Sequence, residues 1–159
     1  MRRGVTRYGI SKGRVTVKAR SSADVTIWSK LSGTIQLDLD QPLGARAEVS
    51  VDMRSFEAGD WFKHWQLEGD MDSQAHPTAT FILMRFEGLR EASAGQLEAT
   101  AVGQLQWRGK TAEVRVRGTA RVNPRAIDAG GWFELDAHGF GIVADEPVRV
   151  EISLSATAT

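Results

Sequence analysis

The sequence contains no cysteine, no excess of charge of either sign and no long hydrophobic run. The absence of cysteine excludes thiol catalysis, disulfide bonds and thiolate metal sites, and it fits a reducing or an oxidising compartment. Lys and Arg together number 20, as do Asp and Glu, so the formal net charge is zero. A chain balanced in this way has no excess of positive charge that would favour binding to nucleic acid or to an anionic membrane.

No stretch approaches the roughly 18 consecutive apolar residues of a membrane-spanning helix, so we expect no integral membrane segment. The basic start of the sequence has no apolar core behind it and does not resemble a secretory signal peptide. As given, the chain is therefore predicted to be cytoplasmic, or periplasmic if a leader has been removed. Its 159 residues suffice for one domain with a substantial core.

Sequence signatures of catalysis and metal binding are missing as well. The histidines His64, His76 and His138 are far apart and show no metal-ligand spacing. There is no Gly-x-Ser-x-Gly nucleophile elbow and no Gly-rich loop between a strand and a helix. The acidic cluster in residues 60–72 lacks the ligand number and the placed glycine of a calcium loop. We therefore expect no catalytic residue and no metal site.

The sequence does contain long stretches in which apolar and polar residues alternate. The longest fills residues 95–122 and is broken only by the turn Arg108-Gly109-Lys110. A period of two over both arms predicts two long antiparallel strands, each with one buried face. The residues of that face are Leu97, Ala99, Ala101, Gly103, Leu105, Trp107, Ala112, Val114, Val116, Gly118, Ala120 and Val122. Because many of them are small, they indicate a hollow apolar interior and hence an apolar ligand.

Similar alternation recurs in residues 15–19, 35–39, 45–53 and 148–154, with turn signals between the runs. The pattern predicts an all-β protein of roughly eight to ten strands, without the strand–helix alternation of a parallel sheet. Closing antiparallel strands into a barrel removes their exposed edges. A barrel of about eight strands has room for one small ligand. The alternative is a β-sandwich with a filled core.

One segment, residues 59–72, is predicted to be a short helix. Asp60 is a suitable N-cap, and Trp61 and Trp65 lie one turn apart. The following run, residues 80–86, is apolar on both faces and must be covered on both. We expect the helix to pack on or near the mouth of the barrel. Trp61 and Trp65 then either contact the ligand at the mouth or pack between helix and barrel.

Four motifs in this order resemble those of the YceI-like family. They are the glycine-led strand GTIQLD at residues 33–38, AHPTATF at 75–81, AVGQLQWRGKTAEV at 101–114 and FGI at 140–142. The match runs roughly from Tyr8 to Leu154. The resemblance implies an extended, lipocalin-like antiparallel barrel that holds a long amphiphile, typically a polyisoprenoid quinone or a fatty-acid-like chain. It implies no catalytic residues, and members of the family are commonly dimeric.

We therefore predict that residues 1–159 form a single YceI-like barrel domain that is a non-catalytic binding protein for such an amphiphile. Its expected partners are a hydrophobic small molecule and, in a possible homodimer, a second copy of the chain. No nucleic-acid partner is expected. No cofactor is expected beyond a bound lipid or isoprenoid. The residues predicted to line the barrel are Val17, Leu37, Val49, Val51, Phe81, Leu83, Leu97, Ala99, Ala101, Leu105, Val114, Val116, Phe133 and Val150.

Two alternatives stay open at this point. In the first, the barrel is a structural or protein-interaction scaffold with a filled core. In the second, the protein is an enzyme in which His64 or His138 acts as a base assisted by Asp60 or Asp136, because a fold alone never excludes chemistry.

Overall fold

A computed structural model describes residues 4–19, 25–57, 75–136 and 147–159. Its strands are β1 (Val5–Ala19), β2 (Val25–Trp28), β3 (Leu31–Asp38), β4 (Arg46–Asp52), β5 (Phe56–Glu57), β6 (Thr78–Ser93), β7 (Gln96–Trp107), β8 (Lys110–Val122), β9 (Ala126–Leu135) and β10 (Val148–Ala158). Within these ranges, the helical structure consists of two short 3₁₀ turns, Pro42–Gly44 and Met53–Ser55. The all-β prediction is confirmed, whereas the helix predicted at 59–72 lies outside the described residues.

Eight antiparallel strands close into a barrel in the order β1-β10-β9-β8-β7-β6-β4-β3. The closing pairing joins β1 to β10, from Tyr8 opposite Ala158 to Ala19 opposite Val148. Closure gives both of these strands a hydrogen-bonded neighbour on each side, which removes the open edges of the sheet. The predicted antiparallel barrel is therefore confirmed.

The neighbour of β1 on its other side is built in two pieces. β1 pairs with β3 near one end of the barrel and with β2 near the other. Both pairings keep the same register, because Val5 lies opposite Asp38 and Val15 lies opposite Trp28. β2 and β3 are thus two segments of one line of chain. The short strand β5 pairs with β2, beside the ring of eight.

The predicted hairpin is formed by β7 and β8, which pair from Gln96 opposite Arg121 to Trp107 opposite Lys110. Its two-residue turn has φ of 54° at Arg108 and 71° at Gly109. Two consecutive positive φ angles are the signature of a turn whose twist matches that of the flanking strands. The glycine adopts this conformation without strain.

Two clusters of buried apolar side chains occupy opposite ends of the barrel. We call them the Tyr end and the Trp end. The Tyr end consists of Tyr8, Leu37, Ile127 and Ala156. The Trp end consists of Val15, Trp28, Met53, Phe56, Ala79, Trp107 and Val150. The connections β3–β4, β6–β7 and β8–β9 lie at the Tyr end, because antiparallel strands bring alternate connections to the same end.

Candidate functional site

A cavity of about 530 Å³ lies inside the barrel. Side chains of both end clusters contribute to its wall, among them Leu37 and Ile127 at the Tyr end and Trp28 and Met53 at the Trp end. The cavity therefore extends from one cluster towards the other. Small-molecule sites in proteins typically have volumes of roughly 300–1,000 Å³, so this interior is large enough for one ligand.

The wall of the cavity is apolar. Among the described residues that line it, none carries a charge, and the polar side-chain groups are the hydroxyls of Thr26 and Thr119 and the indoles of Trp28 and Trp107. The Trp28 Nε1–H is already engaged, since it donates to the backbone oxygen of Met53 at 3.3 Å. Burying a charge without a partner is costly, so this cavity favours an uncharged apolar group.

Part of the wall is thin because glycine and alanine meet there. Gly118 on β8 lies opposite Ala99 on β7 and opposite Gly131 on β9, and all three line the cavity. A Cβ on Gly118 would lie 2.5 Å from the backbone oxygen of Gly130, and one on Gly131 would lie 2.8 Å from that of Arg117. The close approach of these strands requires glycine. The same lack of side chains leaves space inside the barrel.

The hollow predicted beside Gly103 and Val114 is filled. A Cβ on Gly103 would lie 2.5 Å from ring carbons of Phe81, so the aromatic ring packs directly over this glycine. Val114 is the cross-strand partner of Gly103 and is buried, but it does not border the cavity. Gly103 is therefore small to accommodate the ring of Phe81, and not to enlarge the cavity.

Apart from Val114, every residue predicted from the sequence to line the barrel borders the cavity, and their contact with a ligand stays a prediction. They come from strands β1, β3, β4, β6, β7, β8, β9 and β10. The residues are Val17, Leu37, Val49, Val51, Phe81, Leu83, Leu97, Ala99, Ala101, Leu105, Val116, Phe133 and Val150. Trp61 and Trp65, predicted at the mouth, lie outside the described residues.

The structure also adds wall residues to the predicted set. Val15, Ile152 and Leu154 continue the alternation already visible in β1 and β10, and the same signal could have identified them. Phe86 and Leu89 on β6 were hidden, because the register between β6 and β7 shifts at three places. Such bulges change which face a side chain points to and so break the sequence periodicity.

The Tyr end is fixed by a partly buried hydrogen bond. The side chain of Tyr8 is fully buried, and its hydroxyl donates to the backbone oxygen of Asn123 at 2.8 Å. The Asn123 side chain in turn accepts from the backbone N–H groups of Arg125 and Ala126, at 2.8 and 3.0 Å. These bonds tie β1 to the β8–β9 connection. Burial raises the pKa of the Tyr8 phenol, because it disfavours the phenolate.

Residues 8–158 match the YceI-like domain. The chain belongs to the YceI-like family. The family predicted from the four motifs is thus confirmed, although the motif at residues 140–142 lies outside the described structure. No curated protein matches the sequence.

Solved structures of YceI-like and related proteins share the fold. BcnA from Burkholderia cenocepacia is 22% identical, with a TM-score of 0.73 over 92% of this chain and 96% of that one. A polyisoprenoid binding domain from Saccharophagus degradans, implicated in plant cell wall breakdown, is 12% identical, with a TM-score of 0.71 over 96% and 98%. The YCEI protein of Campylobacter jejuni is 12% identical, with a TM-score of 0.69 over 89% of each chain.

The outer face of this YceI-like barrel carries paired charges. Trp132 on β9 lies between Arg117 and Arg149, whose guanidinium carbons are 5.4 and 4.3 Å from the ring centroid. Further along, Glu87 is hydrogen-bonded to Arg115 and to a second arginine, and these contacts hold the pKa of Glu87 below its usual range. Ion pairs this exposed contribute little to stability, and they form no acid–base constellation.

Of the residues considered for acid–base chemistry, Asp136 follows β9 and is exposed, while His64, His138 and Asp60 lie outside the described residues. In the described ranges, no group of three His, Asp or Glu side chains is placed to hold a metal ion. The part of the chain that the structure covers has no helix long and apolar enough to cross a membrane.

Proposed function

We propose that this protein is a non-catalytic binding protein that sequesters the apolar chain of a long amphiphile, a polyisoprenoid quinone or a fatty-acid-like lipid. The observation that carries the proposal is the uncharged cavity of about 530 Å³ between the Tyr end and the Trp end. A wall of aliphatic and aromatic side chains recognises hydrocarbon by excluding water, so binding needs few polar contacts.

Hydrocarbon burial alone is strong enough to hold such a ligand. Each buried methylene contributes about 0.8 kcal/mol, so a ten-carbon segment supplies roughly 8 kcal/mol before the ordering costs of association are subtracted. The proposed function therefore requires length and fit, and it does not require a specific hydrogen-bonding group inside the barrel.

The wall also constrains the head group. Because no charged side chain among the described lining residues faces the cavity, a carboxylate inside it would lose its hydration without gaining a partner. A charged head would therefore stay in water at one end, while a neutral head could enter. This supports an isoprenoid over a fatty acid. The Saccharophagus degradans neighbour, described as a polyisoprenoid binding domain, points to the same ligand class.

The cavity counts against the alternative of a scaffold with a filled core. The enzyme alternative gains no support from Asp136, which is exposed and away from the cavity wall. We extend the proposal to a role in transport of the ligand and to a homodimer, the form in which members of the family commonly occur. The compartment, cytoplasmic or periplasmic, stays a prediction from the sequence.

Organic extraction of the natively purified protein, followed by mass spectrometry, tests the proposed function. We expect a stoichiometric lipid with a long apolar chain, and uptake of a fluorescent fatty acid by protein from which that lipid has been removed. Repeated absence of any lipid, together with no uptake of the fluorescent fatty acid, would overturn the proposal.

A further inference from the structure

Strand β6 is paired along only part of one edge. β4 pairs with it from Asp52 opposite Thr78 to Glu48 opposite Ile82. Beyond Ile82, β6 continues to Ser93 with β7 on its other side, and no described strand pairs with it on the β4 side. The barrel wall therefore contains a seam, which we define as the boundary between residues 83–93 of β6 and the β3–β4 connection at residues 39–45.

The β3–β4 connection covers the seam without joining the sheet. Its 3₁₀ turn, Pro42–Gly44, lies against β6. The backbone hydrogen bonds described for it are local and none goes to β6: Gln41 N–H donates to Asp38, the last residue of β3, Gly44 N–H to Gln41 and Ala45 N–H to Pro42, at 3.0–3.2 Å. The connection can therefore swing away from β6 without breaking a strand pairing, and segments held in this way open at low free energy.

The inner side of the seam borders the cavity. Pro42 and Ala45 line it from the connection, and Leu83, Phe86 and Leu89 line it from β6. Most other neighbours in the described ring are joined by long strand pairings, although β8 and β9 pair only from Arg117 opposite Trp132 to Val122 opposite Ile127. At the seam, a turn held by its own internal bonds separates the cavity from solvent.

The outer side of the seam carries exposed apolar side chains. The large hydrophobic residues that are most exposed in the described structure are Val5, Leu43 and Met84, at 68%, 67% and 49%. Leu43 lies on the 3₁₀ turn, and Met84 lies two residues past the last β4–β6 pair. Val5 pairs with Asp38, the residue at which β3 ends and the connection begins. Leu43 and Met84 thus lie on the two sides of the seam, and Val5 lies on β1 beside the start of the connection.

Strand β6 is irregular along the same stretch. Its register against β7 shifts between Leu83 and Arg85, between Glu87 and Arg90, and again near Ser93. Gly88 has a φ of 63°, a conformation that glycine adopts readily. Bulges of this kind end pairing and twist a strand away from its neighbour. The part of β6 that has no partner among the described strands on the β4 side is thus also its irregular part.

We propose that the apolar ligand enters and leaves the barrel through this seam, with residues 39–45 as the moving flap. The proposal rests on the proposed function, since it needs a ligand that occupies the cavity. A hydrocarbon chain passing here moves from exposed apolar side chains to the cavity wall past the turn, while every described strand pairing stays intact.

A disulfide between β6 and the first residue of β4 tests the route, because that residue directly follows the flap and the cross-link ties this end of the flap to β6. Continuing the β4–β6 register by two residues places Arg46 level with Met84, and both side chains are exposed. The chain has no other cysteine, so Arg46→Cys/Met84→Cys yields one defined cross-link on oxidation. The dye N-phenyl-1-naphthylamine, which is uncharged and fluoresces in apolar surroundings, reports exchange by stopped flow. We expect oxidation to slow uptake and release at least tenfold at unchanged affinity, and reduction to restore both rates.

The matched control is Gln104→Cys/Glu113→Cys, which cross-links exposed partners on the paired strands β7 and β8. We expect it to leave both rates unchanged. Normal exchange in the oxidised Arg46→Cys/Met84→Cys protein would overturn the seam as the route and leave the proposed function intact. Failure of the unaltered protein to bind the dye would overturn the proposed function itself.

A second pair of variants tests the same route and does not depend on formation of the cross-link. Pro42→Gly frees the backbone of the flap, because proline fixes φ near −65° and glycine does not. We expect faster dye release than in the unaltered protein. Pro124→Gly makes the same change in the β8–β9 connection at the same end of the barrel, away from the cavity wall, and should leave the rate unchanged. Equal rates for both variants would contradict the proposal.

Discussion

Replacing Ala99 by phenylalanine should block the cavity while the barrel stays folded. Ala99 faces Gly118 on β8 and, beyond it, Gly131 on β9, so on this side of β7 the added ring meets no side chain at the directly opposite positions. Burying the ring contributes up to about 2–3 kcal/mol, and overpacking a filled interior costs about 1–3 kcal/mol. In a hollow interior the second cost is small. The free energy of unfolding should therefore change by no more than about 1–2 kcal/mol.

Ligand affinity should change much more than stability. A phenyl ring occupies the space of roughly four or five methylenes, and each lost methylene contact weakens binding by about 0.8 kcal/mol. The sum, about 3–4 kcal/mol, corresponds to a loss of 10²- to 10³-fold in Kd. Titration with N-phenyl-1-naphthylamine measures the affinity, and urea unfolding followed by tryptophan fluorescence measures the stability.

Thr100→Phe is the matched control for this substitution. Thr100 is the next residue on β7, points to the outer face and does not border the cavity. The Thr100→Phe protein should bind the dye with unaltered affinity. Equal affinity of the Ala99→Phe and Thr100→Phe proteins would refute the idea that the cavity holds the ligand. Unfolding of both Ala99→Phe and Ala101→Phe would instead indicate a tightly filled core.

Three further outcomes are expected. Gly118→Ala should destabilise the barrel by about 1–3 kcal/mol, because the added Cβ would lie 2.5 Å from a backbone oxygen. Gly130→Ala is the control and should leave the stability unchanged, since its Cβ would lie 3.6 Å from the nearest atom. Equal urea midpoints for the two variants would contradict this prediction. Tyr8→Phe should cost about 1 kcal/mol of stability, since it leaves the Asn123 carbonyl without its buried donor, and an unchanged midpoint would contradict that bond. Because burial raises the pKa of Tyr8, the contribution of its hydrogen bond to stability should be complete below pH 10 and lost as the pH rises through the raised pKa. Tyr8 is the single tyrosine of the chain, so phenolate absorbance measures its titration directly. A titration midpoint at 10.0 would contradict the raised pKa.

Much of the barrel was predictable because its strands are long and exposed to solvent on one face. The alternation in residues 95–122 located both arms of the β7–β8 hairpin and its turn at Arg108 and Gly109. It also identified inward residues such as Ala99 and Val116. A period of two is a direct consequence of strand geometry, so it survives wherever a strand is regular.

The sequence was uninformative where strands are irregular or where one side chain fills the space left by another. Small size at Gly103 predicted a hollow, but the ring of Phe81, from the neighbouring strand, occupies it. Local periodicity cannot show which distant ring packs on a glycine. Likewise the bulges of β6 hid Phe86 and Leu89, and the seam depends on where β4 stops pairing, which is a property of two strands together.

The most direct test of the central claim is a crystal structure of the protein purified without delipidation. We predict continuous electron density for an apolar chain along the barrel axis, in contact with Ala99, Val116 and Gly131, between the Tyr end and the Trp end. Any polar head should emerge at one end or at the seam. Side chains collapsed into the interior, with no space and no density for a chain, would contradict the account.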